Sequence, residues 1–141
     1  MEENETKIKY DEWVWSGQMV TGNESLDIRH RSMFNIVNDI IKIYNDFEGD
    51  PNPVLLEVPL DELFKFAAHH FADEELTMKN ANYPKLVEHH ELHIDFVIRL
   101  INLKIRFDKD ENISKELLDF LLDWRNQHIK VKDKEAMKEC R

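Results

Sequence analysis

His70 and Glu74 stand four residues apart in this chain, as do His89 and His93, and each pair falls inside an apolar stripe. On an α-helix, residues four apart share one face, a turn apart. His30 heads a stripe continued by Phe34, Val37, Ile41 and Tyr44; Leu63, Ala67, His70, Glu74 and Met78 form a second. Leu86, His89, His93, Phe96, Leu100, Leu103 and Phe107 form a third, and Leu117, Leu121, Trp124 and His128 a fourth. Spacings of three and four identify four amphipathic helices that turn these faces to one interior. A neutral polar group buried there without a partner costs roughly 2–7 kcal/mol. One core histidine is normally satisfied by a plain hydrogen bond. His30, His70, His89, His93 and His128, with Glu74 and Asp133, need a shared solution, and a metal supplies one. Imidazole and carboxylate together suit iron and its first-row neighbours. Seven such ligands exceed one tetrahedral zinc and match a pair of metals.

The spacing of Asp133 from His128 is less direct. Five residues advance an ideal α-helix by about 500°, which leaves the two side chains roughly 140° apart. Both reach one site only if the helix loosens, bends or ends, so a wide turn or a break is expected between Gln127 and Lys134. On spacing alone, Asp133 reads equally as a solvent-facing acid among Lys130, Lys132 and Lys134.

The connections fix the architecture. Residues 1–22 read as a non-helical arm anchored by Trp13, Val14 and Trp15, and residues 23–141 as the bundle, within one domain. Asn23 or Ser25 can cap the first helix, with Glu24 and Asp27 favourable in its first turn. Glu48-Gly49-Asp50-Pro51-Asn52-Pro53 breaks the chain after about Phe47. Pro59 suits the start of the second helix, ahead of Asp61 and Glu62. Asn82-Tyr83-Pro84 and Asp108–Asn112 provide the remaining turns, with Asn112 or Ser114 opening the last helix. Short connections between long amphipathic helices imply antiparallel neighbours, hence an all-α, up-down-up-down four-helix bundle.

Composition narrows the partners. The formal charge is −10 over 141 residues, which argues against nucleic acid and against an anionic membrane surface. No apolar run reaches the length of a membrane span, and the acidic Met1–Glu5 start lacks a signal-peptide pattern. With the single Cys140 as a free thiol near the end, a cytoplasmic protein is expected. The apolar residues are expected to be taken up by the core, giving a monomer.

Four segments resemble the ligand motifs of the hemerythrins, most closely the bacteriohemerythrins. They are Leu26-Asp27-Ile28-Arg29-His30; His70-Phe71-Ala72-Asp73-Glu74-Glu75; Tyr83-Pro84 with His89, His93 and Phe96; and Trp124-Arg125-Asn126-Gln127-His128-Ile129 with Asp133. Trp15 and Thr21-Gly22 also resemble that branch, and the likeness spans nearly the whole chain. It implies two non-haem irons in an oxygen-bridged centre, joined by Glu74 and Asp133. His89, His93 and His128 would complete one iron, while His30 and His70 would leave the second with an open position for dioxygen. The expected activity is reversible dioxygen binding for storage, delivery or sensing. An enzyme acting on peroxide or nitric oxide, or an iron-storage or regulatory module, is the alternative. Binding rather than turnover is favoured because the site is nitrogen-rich and lacks the Glu-x-x-His pairs of carboxylate-rich di-iron oxygenases.

Arg125 departs from the family, in which this position is commonly leucine near the oxygen pocket. Its stem is expected to pack while its head reaches solvent. Glu75, His69 and His90 lie about 100° around the helix from a ligand. The two histidines read as surface residues or partners of the ligands, and Glu75 as off the site. His89-His90-Glu91-Leu92-His93 lacks the second histidine of the zinc-protease motif, having Ile94 in its place. Asp108–Asn112 begins like a calcium loop but has Ile113 where the turn needs glycine.

Overall fold

The computed structural model describes residues 8–47 and 52–140. The Met1–Glu5 terminus and the Glu48–Pro51 part of the expected break lie outside the described residues. Helix α1 spans Glu24–Asp46, α2 Pro53–Asn80, α3 Leu86–Asp108 and α4 Ser114–Trp124. A π-helical segment, Arg125–Lys132, continues α4 and leads into α5, Asp133–Glu139. The pairs Glu74–His89 and Phe71–Phe96 join α2 to α3. Phe96–Trp124 and Arg106–Glu116 join α3 to α4. Residue numbers rise along one helix as they fall along its neighbour, so the helices alternate in direction as an all-α four-helix bundle. Among the described residues, no helix is long and apolar enough to cross a membrane.

Local chemistry sets the ends. Asn23 caps α1, its side chain accepting from the Leu26 N–H at 3.0 Å. Gly22, at φ 90°, supplies the left-handed turn before it. Asp27 is buried and accepts both the Thr21 N–H at 3.0 Å and the Thr21 hydroxyl at 2.7 Å. Helix α2 starts earlier than its sequence suggests: Pro53, not Pro59, occupies its first turn, behind an Asn52 cap that accepts from Val54 N–H at 3.0 Å. Pro59 lies inside the helix, where a missing N–H costs about 3 kcal/mol. Burial of Leu56, Leu60 and Leu63 on one face offsets that cost and carries the helix through the proline.

The arm is extended apart from a 3-10 turn at Gly17–Met19. Its side chains alternate, as in a strand. Trp13 is buried and Trp15 partly so, both edge-on to Phe34. Val14 points to solvent, so it does not anchor the arm as expected. Two asparagines one heptad apart on α1 hold the arm backbone. Asn38 accepts the Trp13 N–H at 2.7 Å and donates to the Trp13 carbonyl at 2.9 Å. Asn45 treats Tyr10 in the same way, at 3.0 and 2.8 Å. The Arg125 guanidinium lies 5.0 Å above the Trp13 ring, its Nε 3.2 Å from Asn126 Oδ1. The Arg125 head therefore turns outward onto the arm, where a cation–π contact contributes about 0.5–2 kcal/mol.

Asn38→Ala leaves the Trp13 N–H and carbonyl without these partners. With about 1–3 kcal/mol lost per unsatisfied group, the variant is expected to lose about 2–4 kcal/mol in denaturant unfolding. Its tryptophan fluorescence should become more accessible to quenchers while helicity is retained. Wild-type stability and quenching would show that Asn38 does not hold the arm.

Candidate metal centre

His30, His70, Glu74, His89, His93, His128 and Asp133 are all buried and meet where α1 begins, α2 ends, α3 begins and α4 gives way to α5. Below them lies the main core; beyond them a smaller cluster of Leu26, Met78, Tyr83, Ala136 and Met137 closes the end. Their nitrogen and oxygen atoms form two groups able to hold a metal. One is Glu74, His89, His93, His128 and Asp133; the other is His30, His70, Glu74 and Asp133.

Both groups contain both carboxylates, and each carboxylate divides its oxygens between them. Glu74 Oε1 faces His89 Nε2 at 2.5 Å and His93 Nε2 at 3.4 Å, while Oε2 faces His70 Nε2 at 3.1 Å. Asp133 Oδ1 lies 3.0 Å from both His89 Nε2 and His128 Nε2, and Oδ2 lies 3.0 Å from His30 Nε2. All five imidazoles thus present Nε2, and each acid turns one oxygen to each group.

Hydrogen bonding among the residues does not account for this convergence. His30 Nδ1 and Nε2, His128 Nδ1, Glu74 Oε2 and Asp133 Oδ2 are buried without an aligned hydrogen-bond partner. His93 Nε2 and His128 Nε2 stand 3.2 Å apart, nitrogen to nitrogen. Ligands about 2.1 Å from one metal stand about 3.0 Å apart along an octahedral edge, by geometry from typical metal–nitrogen lengths. The recurring separations near 3.0 Å fit such a donor set, and the cluster suits a non-haem di-iron site.

Asp133 joins through a local change of helix type. Its N–H donates to the His128 carbonyl, five residues back. That bond closes a π turn and brings residues five apart to one side, where an α-helix would splay them. The expected wide turn is therefore a π segment starting at Arg125. Aromatic rings fix the imidazoles against rotation. His128 stacks on Trp124 at 3.8 Å, His93 on Phe71 at 4.0 Å and His70 on Phe66 at 5.0 Å.

Electrostatics favour ligand-ready forms of most of these groups. Burial holds His70 and His128 below the usual imidazole value and hence neutral. Burial and the charge of Asp133 push Glu74 upward, but contacts with His70, His89 and His93 outweigh them and hold it at about 2. Asp133 is likewise burdened by burial, yet His128, His30 and His89 bring it well below the carboxylate range. Burial lowers His89 as well, but Asp133 and Glu74 together raise it to about 9. A metal bound through His89 would therefore displace a proton.

Two contacts outside the cluster escaped the sequence. Glu75 does not face away: its Oε2 lies 2.8 Å from His93 Nδ1, and its Oε1 contacts His90 Nδ1. It therefore sets the tautomer that leaves His93 Nε2 free for a metal. The signal was the long glutamate stem, which reaches across the gap to α3. Arg29 Nε donates to His70 Nδ1 at 3.3 Å. The same guanidinium donates to Ser25 Oγ at 2.9 Å and lies 3.9 Å from Asp73.

The family described as "Hemerythrin HHE cation binding domain" matches residues 21–140. The chain belongs to the hemerythrin family. It is 33% identical to a bacteriohemerythrin of Clostridium acetobutylicum over 129 residues, covering 87% of this chain and 97% of that protein. A hemerythrin of Sipunculus nudus is 33% identical over 124 residues, covering 87% and 89% of the two chains. The crystal structure of a hemerythrin mutant superposes with a TM-score of 0.81 at 22% identity, covering 91% of this chain and 96% of that one. This hemerythrin fold is the bundle expected from the sequence.

Loss of an outer partner of a ligating histidine typically costs 10–100-fold in metal affinity. Glu75→Ala is expected to weaken iron retention by about that factor in chelator competition, with Glu75→Gln closer to wild type. Unchanged retention in Glu75→Ala would reduce the contact with His93 to a surface hydrogen bond.

Proposed function

We propose that this centre holds two irons and binds dioxygen reversibly, for storage, delivery or sensing. Glu74 and Asp133 would bridge the irons; His89, His93 and His128 would complete one, and His30 and His70 the other. The sharing of both carboxylates between a three-histidine and a two-histidine group carries this reading. An iron pair held here would supply the two electrons that reversible dioxygen binding requires. The unequal histidine count leaves the His30–His70 side with fewer protein donors, so a small ligand would complete that side.

The surrounding residues favour binding over turnover. Breaking an O–O bond needs protons delivered to the site. The seven polar residues are buried, and Phe66, Phe71 and Trp124 wall their rings with apolar surface. This burial limits access of water, and the seven side chains are already gathered before any ligand arrives. Glu74 and Asp133 sit far below neutrality and hold no proton to give. Arg125 is occupied over Trp13, so it adds no donor to the His30–His70 side. The names of the relatives, bacteriohemerythrin and hemerythrin, accord with this reading.

Stopped-flow mixing of the anaerobic, reduced, iron-loaded protein with dioxygen should give a new visible spectrum that vanishes on degassing and returns over several cycles. Steady consumption of dioxygen, or loss of the spectrum without recovery of the reduced form, would favour the enzymatic alternative.

A further inference from the structure

Helix α3 is apolar on two opposite faces. One carries His89, His93, Phe96, Leu100, Leu103 and Phe107 into the core. The other carries Val87, Ile94, Ile98, Ile101 and Ile105, which remain 69%, 44%, 50%, 42% and 48% exposed. With Glu91 filling the gap, these positions alternate in steps of four and three, the spacing by which one helix presents a continuous seam to another. Apolar residues scattered singly over a surface are ordinary, but a contiguous row of them marks an interaction site. Isoleucine suits such a row because its side chain has little rotamer freedom to lose on contact. The core therefore does not take up all the apolar residues, on which the expectation of a monomer rested.

We propose that this face is the contact of a two-fold symmetric homodimer in which α3 of one copy packs antiparallel against α3 of the other. Charge selects both the occupant and its direction. The amino-terminal half of α3 carries Glu88, Glu91 and Asp95; the carboxy-terminal half carries Arg99, Lys104 and Arg106 against one acid, Asp108, with Lys104 also paired to Asp108 and Arg106 to Glu116. Antiparallel pairing of two copies sets acidic halves against basic halves, whereas parallel pairing opposes like charges. A two-fold axis between Ile94 and Ile98 uses the whole row: Ile94 meets Ile98 of the second copy, and Val87 meets its Ile105. Glu91, the one charge within the seam, then falls opposite Ile101 of the second copy and within one turn of its Lys104, which also pairs with its own Asp108.

From Val87 to Ile105 the seam is about 27 Å long at 1.5 Å per residue. One helix pair of that length sits near the lower end of specific interfaces, about 1,200 Å² in total. The dimer is accordingly weak and concentration-dependent, with a dissociation constant on the order of 1–100 μM.

Sedimentation equilibrium of the iron-loaded full chain between about 1 μM and about 1 mM should follow a monomer–dimer curve in that range. Ile98→Lys places two ammonium groups beside the axis and should weaken the dimer at least about 30-fold, with helicity and iron content unchanged. Glu91→Lys and Lys104→Glu should each weaken it about three- to tenfold, and the double exchange should return it to within about threefold of wild type. A monomer at every concentration would overturn the proposal and leave the row to a different protein or to solvent. A dimer untouched by Ile98→Lys would place the contact on another face, and failure of the double exchange to restore affinity would exclude the antiparallel arrangement.

Discussion

An ionised carboxylate in a protein interior survives only if its charge is matched and its lone pairs are used. Glu74 and Asp133 are both wholly surrounded by protein, and the bundle answers with five imidazoles aimed at their four oxygens. Protons alone serve this arrangement poorly. His89 is left shared between both acids, and several nitrogens and oxygens have no aligned partner. Two metal ions would satisfy the converging Nε2 and carboxylate atoms, because each acid already presents one oxygen to each group.

Much of the fold serves that convergence. Four helices contribute from the same end of the bundle, so short connections suffice. Stacked aromatic rings orient His70, His93 and His128 from the side facing the core. The π segment rotates Asp133 into place, and the small cluster of Leu26, Met78, Tyr83, Ala136 and Met137 closes the bundle beyond it. The arm ties α1 to the π segment through Asn38, Trp13 and Arg125, so the helix change at Arg125 is braced from outside.

The helices and the convergence were legible because both depend on periodicity. His70 with Glu74, and His89 with His93, repeat at the helical interval, and the apolar stripes identify the face they share. Asp133 was not legible from period alone, since an α-helix turns it away from His128; only the motif likeness raised it above a solvent-facing acid. Pro59 misled because a proline usually marks a boundary, and here the burial of Leu56 and Leu60 prevails. Glu75 was missed because angular offset describes where a side chain starts and not how far it reaches. The exposed row on α3 escaped because a stripe reads the same from either side of a helix until packing shows which side the core occupies.

The central claim is that the seven buried polar side chains are held together by bound metal. Thermal unfolding of the iron-loaded and metal-free protein, compared by calorimetry at the same pH, tests it most directly. A ligand bound only by the folded state stabilises it, by about 4 kcal/mol at a thousandfold excess over its dissociation constant. For a domain near this size, a change of 1 kcal/mol moves the midpoint by about 2–4 °C or more. The iron-loaded protein should therefore melt about 10 °C or more above the metal-free form. Coincident melting curves would contradict the account and return each histidine to a hydrogen-bond partner of its own.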